Sequence, residues 1–221
     1  MRHRFLSLTG FVLAGGASRR MGRPKAALVL GHETMLVRQV RLLTAVSRAV
    51  VVVGPSAGSE RLGTVIRSLA PTDVSVIPDQ LPGRGPLGGI YTGLLHTRTE
   101  FSLFLGCDLP FMEDRFLRYL SERAIACGAD ATVPESVEHR LQPLAAVYRR
   151  RALGAVRASL ARGENKVTRF YSRVRCQVLP WRDIARQGFA RRIFDNMNMP
   201  DDYERVLCRL GVNSLPHESG K

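Results

Sequence analysis

The residues with chemical capacity in this chain fall into a few short segments. The first is Leu13-Ala14-Gly15-Gly16-Ala17-Ser18-Arg19-Arg20-Met21-Gly22, with Lys25 close behind. Glycines let backbone N–H groups approach an anion. Arg20 and Lys25 add charge, one as a planar fork and the other as a point. The combination suits phosphate binding; the alternative is a tight turn with no ligand. It is not a Walker A loop, because Gly22 is followed by Arg23-Pro24-Lys25 rather than by Lys-Ser/Thr.

The second segment runs from Pro78 to Gly89. Gly83-Arg84-Gly85-Pro86-Leu87-Gly88 matches GxGxxG, but five residues separate it from the preceding strand, and Pro86 lacks an N–H. We read the match as a coincidence and the segment as a loop over a base or ribose. Asp79 is either an acceptor for sugar hydroxyls or a base N–H, or a turn-forming aspartate. The third segment, Phe101 to Pro110, is an apolar run ending on Asp108. An unpaired carboxylate there is costly. A bound Mg²⁺ would compensate it, since Mg²⁺ takes one or two protein carboxylates plus substrate phosphates; a turn aspartate before Pro110 is the plainer reading. The fourth is Asp195-Asn196-Met197-Asn198-Met199-Pro200, where Asn198 either caps a helix starting at Pro200 or returns polar groups to a site mouth.

These segments need elements to position them. Phe11–Leu13, Ala49–Val53, Val74–Ile77, Phe101–Leu105, Ala131–Val133 and Leu144–Tyr148 read as strands. Thr34–Ser47, Val65–Leu69, Gly89–Thr97, a stretch around Phe116–Ala124, Arg149–Arg162 and Pro200–Leu210 read as helices. The alternation predicts an α/β fold with a mostly parallel sheet covered by helices. The candidate loops then all lie beyond the carboxyl ends of strands, where such sheets bind ligands. One domain over residues 1–210 is expected, with 211–221 a flexible tail.

With 221 residues, 45% of them hydrophobic, the chain has material for a core. Its net charge of +14 favours anionic partners, or is simply an arginine-rich surface. The basic residues are dispersed and no aromatic-rich platform is evident, so nucleic acid is not an expected partner. Cys107, Cys127, Cys176 and Cys208 show no zinc-ligand or disulfide spacing. Arg2-His3-Arg4 followed by Phe5–Leu13 imitates a secretory signal, but Ser7, Thr9 and Gly10 break the apolar run. No stretch is long enough to span a membrane, and a cytoplasmic location is expected.

Taken in order, these segments resemble the molybdenum cofactor guanylyltransferase (MobA) family. Leu13 to Gly22 with Lys25 is similar to its LAGGxSxRMGxxK signature, Gly85-Pro86-Leu87-Gly88-Gly89-Ile90 to its GPLAGI loop, and Leu105–Phe111 to its LFLxCDxPF segment. Pro143-Leu144 with Tyr148, and Asn196-Met197-Asn198-Met199-Pro200, resemble its PLxxxY and NxNTP elements. The resemblance implies a Rossmann-like three-layer nucleotidyltransferase fold. It implies transfer of GMP from GTP to molybdopterin with release of pyrophosphate, Mg²⁺ as cofactor, and molybdoenzymes or their chaperones as further partners. By matching positions, Leu13, Ala14, Gly15 and Gly16 would hold the nucleotide, with Gly85 and Pro86 in the second loop. Arg20 and Lys25 would hold phosphates, Asp79 would contact the nucleoside, and Asp108 would bind Mg²⁺. Asn196 and Asn198 would lie on the molybdopterin side. Pro24, Gly54, Gly88 and Met199 depart from the family pattern. The alternatives are a CTP-dependent molybdopterin cytidylyltransferase or another nucleotidyltransferase with a small phosphorylated acceptor, and, in another class, a non-catalytic nucleotide sensor.

Overall fold

The computed structural model describes residues 4–15, 24–55 and 74–211. Nine strands are described: β1 (Phe5–Leu13), β2 (Val29–Leu30), β3 (Glu33–Thr34), β4 (Ser47–Gly54), β5 (Val74–Pro78), β6 (Phe101–Gly106), β7 (Ala131–Pro134), β8 (Ala145–Arg149) and β9 (Cys176–Leu179). The α-helices are α1 (Met35–Thr44), α2 (Gly85–His96), α3 (Asp114–Cys127), α4 (Leu153–Ala161), α5 (Trp181–Arg186) and α6 (Pro200–Leu210). The main sheet has the order β5-β4-β1-β6-β8-β7-β9. Only β8 runs against the rest, antiparallel to both β6 and β7.

The apolar runs form buried strands because both sheet faces are covered. Alternate side chains serve the two faces. Leu8, Val12, Val50, Val52, Leu103 and Leu105 join one core cluster together with residues of α1 and α3. Phe11, Leu13, Val53 and Phe104 join the other, with residues of α2 and α4. Phe11 stacks on Phe104 with centroids 4.9 Å apart. Gly93 of α2 lies against that pair, where a Cβ would fall 2.6 Å from Phe104 Cε1. The α/β class and the mostly parallel sheet are therefore as expected.

Several boundaries differ from the sequence reading, each for a physical reason. β1 begins at Phe5 rather than Phe11. Its polar interruptions are absorbed: Thr9 Oγ1 lies 2.8 Å from Thr99 Oγ1, and Gly10 makes room for α1, since a Cβ there would sit 3.0 Å from Leu43 Cβ. α2 starts at Gly85, four residues before the expected point, because Pro86 suits a first helical turn. The stretch expected as a helix from Arg149 opens as the last residue of β8 and a 3₁₀ turn over Arg150–Ala152; α4 proper starts at Leu153. The expected helix Val65–Leu69 lies outside the described residues.

The β2–β3 hairpin and β9 were not anticipated. The hairpin pairs Leu30 with Glu33 across Gly31-His32, and Gly31 has φ +67°, so a Gly-X turn signal was present. β9 is a four-residue edge strand, Cys176-Gln177-Val178-Leu179, too short to mark itself beside Arg173 and Arg175. A third apolar cluster joins the hairpin to the last helix through Leu28, Leu30, Met35, Met197, Val206 and Leu207. Among the described residues no helix is long and apolar enough to cross a membrane.

Candidate functional site

A cleft of ≈ 760 Å³ opens at the carboxyl ends of β1, β4, β5 and β6. One wall is Leu13-Ala14-Gly15, where Ala14 N extends the β1 ladder by donating to Val53 O at 2.9 Å. Among the described residues no atom lies within 4 Å of where a Cβ on Gly15 would stand, and Gly15 lines the cleft. Gly16 and Arg20, both predicted site residues, lie outside the described residues.

The opposite wall comes from Asp79 and the start of α2. Asp79 Oδ1 accepts from Leu81 N and Thr92 Oγ1, each at 3.0 Å. The aspartate is therefore a turn former, and it also lines the cleft. Gly83 (φ +84°) and Gly85 (φ +61°) occupy conformations that favour glycine, and Gly85 and Pro86 bring the first turn of α2 to the cleft. Gly88, where the family pattern has alanine, packs against the same turn: a Cβ would meet Leu81 O at 2.7 Å.

Lys25 and Asp108 face each other in the cleft, Nζ to Oδ2 at 3.8 Å. Lys25 begins a 3₁₀ turn after Pro24, and Asp108 follows the end of β6. Burial raises the pKa of Asp108, and the Lys25 ammonium opposes that rise. Desolvation of this kind is relieved by a cation. Cys107 is buried, which pushes its thiol far above the ordinary range and leaves it inert as a nucleophile.

Asn198 approaches from the far end of the chain. Its Oδ1 accepts a 2.6 Å hydrogen bond from Lys25 Nζ. The loop is fixed to the third segment by Met197 N donating to Asp108 O at 2.9 Å. Asn198 thus does not spend its side chain on a helix cap; that task falls to Asp202, whose carboxylate accepts from the backbone N–H of Asn198 and Met199, both at 2.8 Å. Asn196 is exposed on the same loop, and neither asparagine lines the cleft directly.

Sequence reasoning gave three contributors no role in the site, although two of them stand in its PLxxxY element. Leu144 lines the cleft and its carbonyl accepts from Gly106 N at 2.8 Å. Tyr148 holds that turn, its hydroxyl donating to Pro143 O at 2.9 Å. These two contacts give the PLxxxY spacing a structural purpose. Asp202 is the third, and its position at the third residue of a Pro-initiated helix was a usable capping signal. Among the described residues no group of three or more His, Cys, Asp or Glu could hold a metal by itself. The fit is instead to a site with one protein carboxylate, Asp108, completed by substrate phosphates and water.

A three-layer α/β fold with a cleft at its strand ends large enough for a nucleotide, lined by Lys25 and Asp108, is the architecture of a nucleotidyltransferase. The chain belongs to the MobA-like NTP transferase domain family, whose model matches residues 10–176. A probable molybdenum cofactor guanylyltransferase from Pelotomaculum thermopropionicum is 36% identical over 197 residues, which cover 89% of this chain and 90% of that protein. The molybdopterin-guanine dinucleotide biosynthesis protein A of Archaeoglobus fulgidus has the same fold, with TM-score 0.77 and 23% identity over 92% of this chain and 98% of that one. A Mycobacterium tuberculosis protein solved in complex with manganese aligns with TM-score 0.57 and 18% identity, over 91% of this chain and 98% of that one.

Proposed function

We propose that this enzyme transfers GMP from GTP to molybdopterin, releasing pyrophosphate and forming molybdopterin guanine dinucleotide. The observation that carries the reading is the placement of Lys25 and Asp108, 3.8 Å apart, in the strand-end cleft that Gly15 and Gly85 also line. The names borne by the relatives supply the substrates.

The reaction needs an acceptor phosphate oxygen to attack the α-phosphate of GTP. A new P–O bond forms there as the bond to the β-phosphate bridge breaks. Bringing two anions together calls for neutralisation and alignment more than for a base. Lys25 is placed to bind phosphate oxygens from the β1 side, and we assign the same task to Arg20. The backbone at Gly15 and the first turn of α2 bracket the nucleotide, with Asp79 beside the nucleoside. A divalent cation, Mg²⁺ in our reading, would be held by Asp108 and would supply charge neutralisation on the phosphates. Asn196 and Asn198 mark the acceptor side.

The test is Mg²⁺-dependent binding of GTP, CTP and ATP by calorimetry, followed by turnover with molybdopterin. Selective GTP binding and guanylyl transfer are expected. Preference for CTP would replace the reading with cytidylyl transfer. Absence of both nucleotide binding and turnover would overturn it.

A further inference from the structure

Lysine is rare in this chain. Of its 33 basic residues only Lys25, Lys166 and Lys221 are lysines. Lys25 therefore stands out as a compact ammonium where arginine is the usual cation, and its surroundings show what that compactness serves. An ammonium offers three N–H donors in a tetrahedral array. One is directed to Asn198 Oδ1 at 2.6 Å, and Asp108 Oδ2 lies 3.8 Å away. Asn198 is itself held from behind. Asp202 Oδ2 accepts from the N–H of Asn198 and the N–H of Met199, fixing the backbone on which the amide is carried. Met197 is fully buried and its N–H is tied to the backbone carbonyl of Asp108, which anchors the loop beside the end of β6. Arg205, one turn further along α6, closes an ion pair on Asp202 Oδ1 and keeps its other oxygen turned to the loop.

We infer that Asp202 is a positioning residue which acts through Asn198 to set the location of the Lys25 ammonium, so that the acceptor-side loop aims the cation on the nucleotide side. Its catalytic consequence rests on the guanylyl-transfer reading; the placement of Lys25 does not. The chain of contacts runs Asp202 carboxylate, Asn198 backbone, Asn198 amide oxygen, Lys25 Nζ. A simple helix cap would stabilise α6 and leave Lys25 unaffected. A positioning relay makes Lys25 respond to changes at a residue it never touches.

The experiment is quantitative acylation of the full chain by acetic anhydride, with per-site mass spectrometry, no nucleotide present and exposed Lys166 as internal reference. The 2.6 Å bond to Asn198 Oδ1 occupies one side of the nitrogen and shields it from the reagent. Lys25 acylation relative to Lys166 is therefore expected to rise several-fold in Asn198→Ala and in Asp202→Ala, to return towards wild type in Asp202→Asn, and to be no higher in the double variant than in Asn198→Ala alone. Unchanged Lys25 reactivity in Asn198→Ala, or additive effects in the double variant, would overturn the relay. Should Asp202→Ala fail to fold, the Asn198→Ala comparison still decides, since an unaltered Lys25 there removes the relay's final link. In turnover, Asp202→Ala is expected to lower kcat about 10-fold with KM for GTP little changed, as for a misplaced group. Altered labelling without any guanylyl transfer in the wild type would refute the proposed reaction and leave the placement of Lys25 standing.

Discussion

A Cβ added to Gly106 would fall 2.6 Å from Asp108 Oδ1. The glycine that ends β6 is thus the space into which the cleft carboxylate folds back. Leu144 closes the other side of that space, its own Cβ 3.4 Å from the same point.

Gly106→Ala should displace the carboxylate more than it disturbs the fold, because the crowding atom is the end of a side chain. We expect metal-dependent turnover to fall about 100-fold, on the scale of a displaced reacting group, with little change in melting temperature. Gly93→Ala is the contrast. Its Cβ would strike Phe104 and Phe11, 2.6 and 2.9 Å away, and overpacking of that kind costs about 1–3 kcal/mol. Thermal unfolding of the two variants beside their initial rates separates site from core; equal loss of stability in both would refute the distinction.

Asp108→Asn removes a charge that burial disfavours. The variant is expected to be at least as stable as wild type without metal. It should lose the stabilisation wild type gains from divalent cation, about 2.7 kcal/mol at a hundred times Kd. Melting curves in the presence of GTP, with and without Mg²⁺, check this, and an undiminished Mg²⁺ shift in the variant would remove Asp108 as the metal ligand.

Lys25→Arg should be nearly as damaging as Lys25→Ala. A guanidinium is larger and planar, and cannot occupy a point 2.6 Å from Asn198 Oδ1 and 3.8 Å from Asp108 Oδ2 with the same geometry. A loss of about 100-fold in kcat is expected for both. Near-normal rates with arginine would show that charge alone suffices.

Glu33 ties the β2–β3 hairpin to α1, accepting from Arg41 at 2.7 and 3.0 Å and from Arg38 at 3.3 Å. The hydrogen bond from Arg41, chiefly, lowers its pKa. A depressed carboxylate contributes stability that is complete above its unfolded value and is lost as pH falls through the folded one. Glu33→Gln should therefore cost about 1 kcal/mol at neutral pH, a typical figure for a partly exposed pair. The gap to wild type should close in acid. Urea titrations at neutral and acidic pH measure it, and a gap independent of pH would exclude the ion pair as its source.

Tyr148 and Tyr171 share a buried hydroxyl contact at 2.8 Å, and Tyr148 also donates to Pro143 O. Tyr148→Phe leaves the Pro143 carbonyl and the Tyr171 hydroxyl short of a partner, at about 1–3 kcal/mol. It should also loosen the turn carrying Leu144. Denaturant unfolding beside nucleotide affinity tests both effects; full affinity at lowered stability would detach Tyr148 from the cleft.

Much of the architecture was legible because strands covered on both faces read as unbroken apolar runs, as at Phe101–Leu105 and Ala49–Val53. The cleft segments were legible as glycine, lysine and aspartate placed just after such runs. Less visible were features that depend on tertiary partners. The first half of β1 looked too polar until Thr9 met Thr99 and Gly10 met α1. The reversed direction of β8 has no local signature, since a strand looks alike whichever neighbour it pairs with. Asn198 carries an ordinary capping residue's identity, and only the arrival of Lys25, 173 positions away in sequence, shows otherwise.

That separation also sets a timetable for the enzyme's birth. Lys25 and the hairpin are synthesised early, while Met197, Asn198 and α6, which seal the third apolar cluster and grip the ammonium, come off the ribosome among the last residues described. A domain completes its packing only when its parts have been made. Until then Leu28, Leu30 and Met35 lack the apolar cover that Met197, Val206 and Leu207 give them in the finished fold.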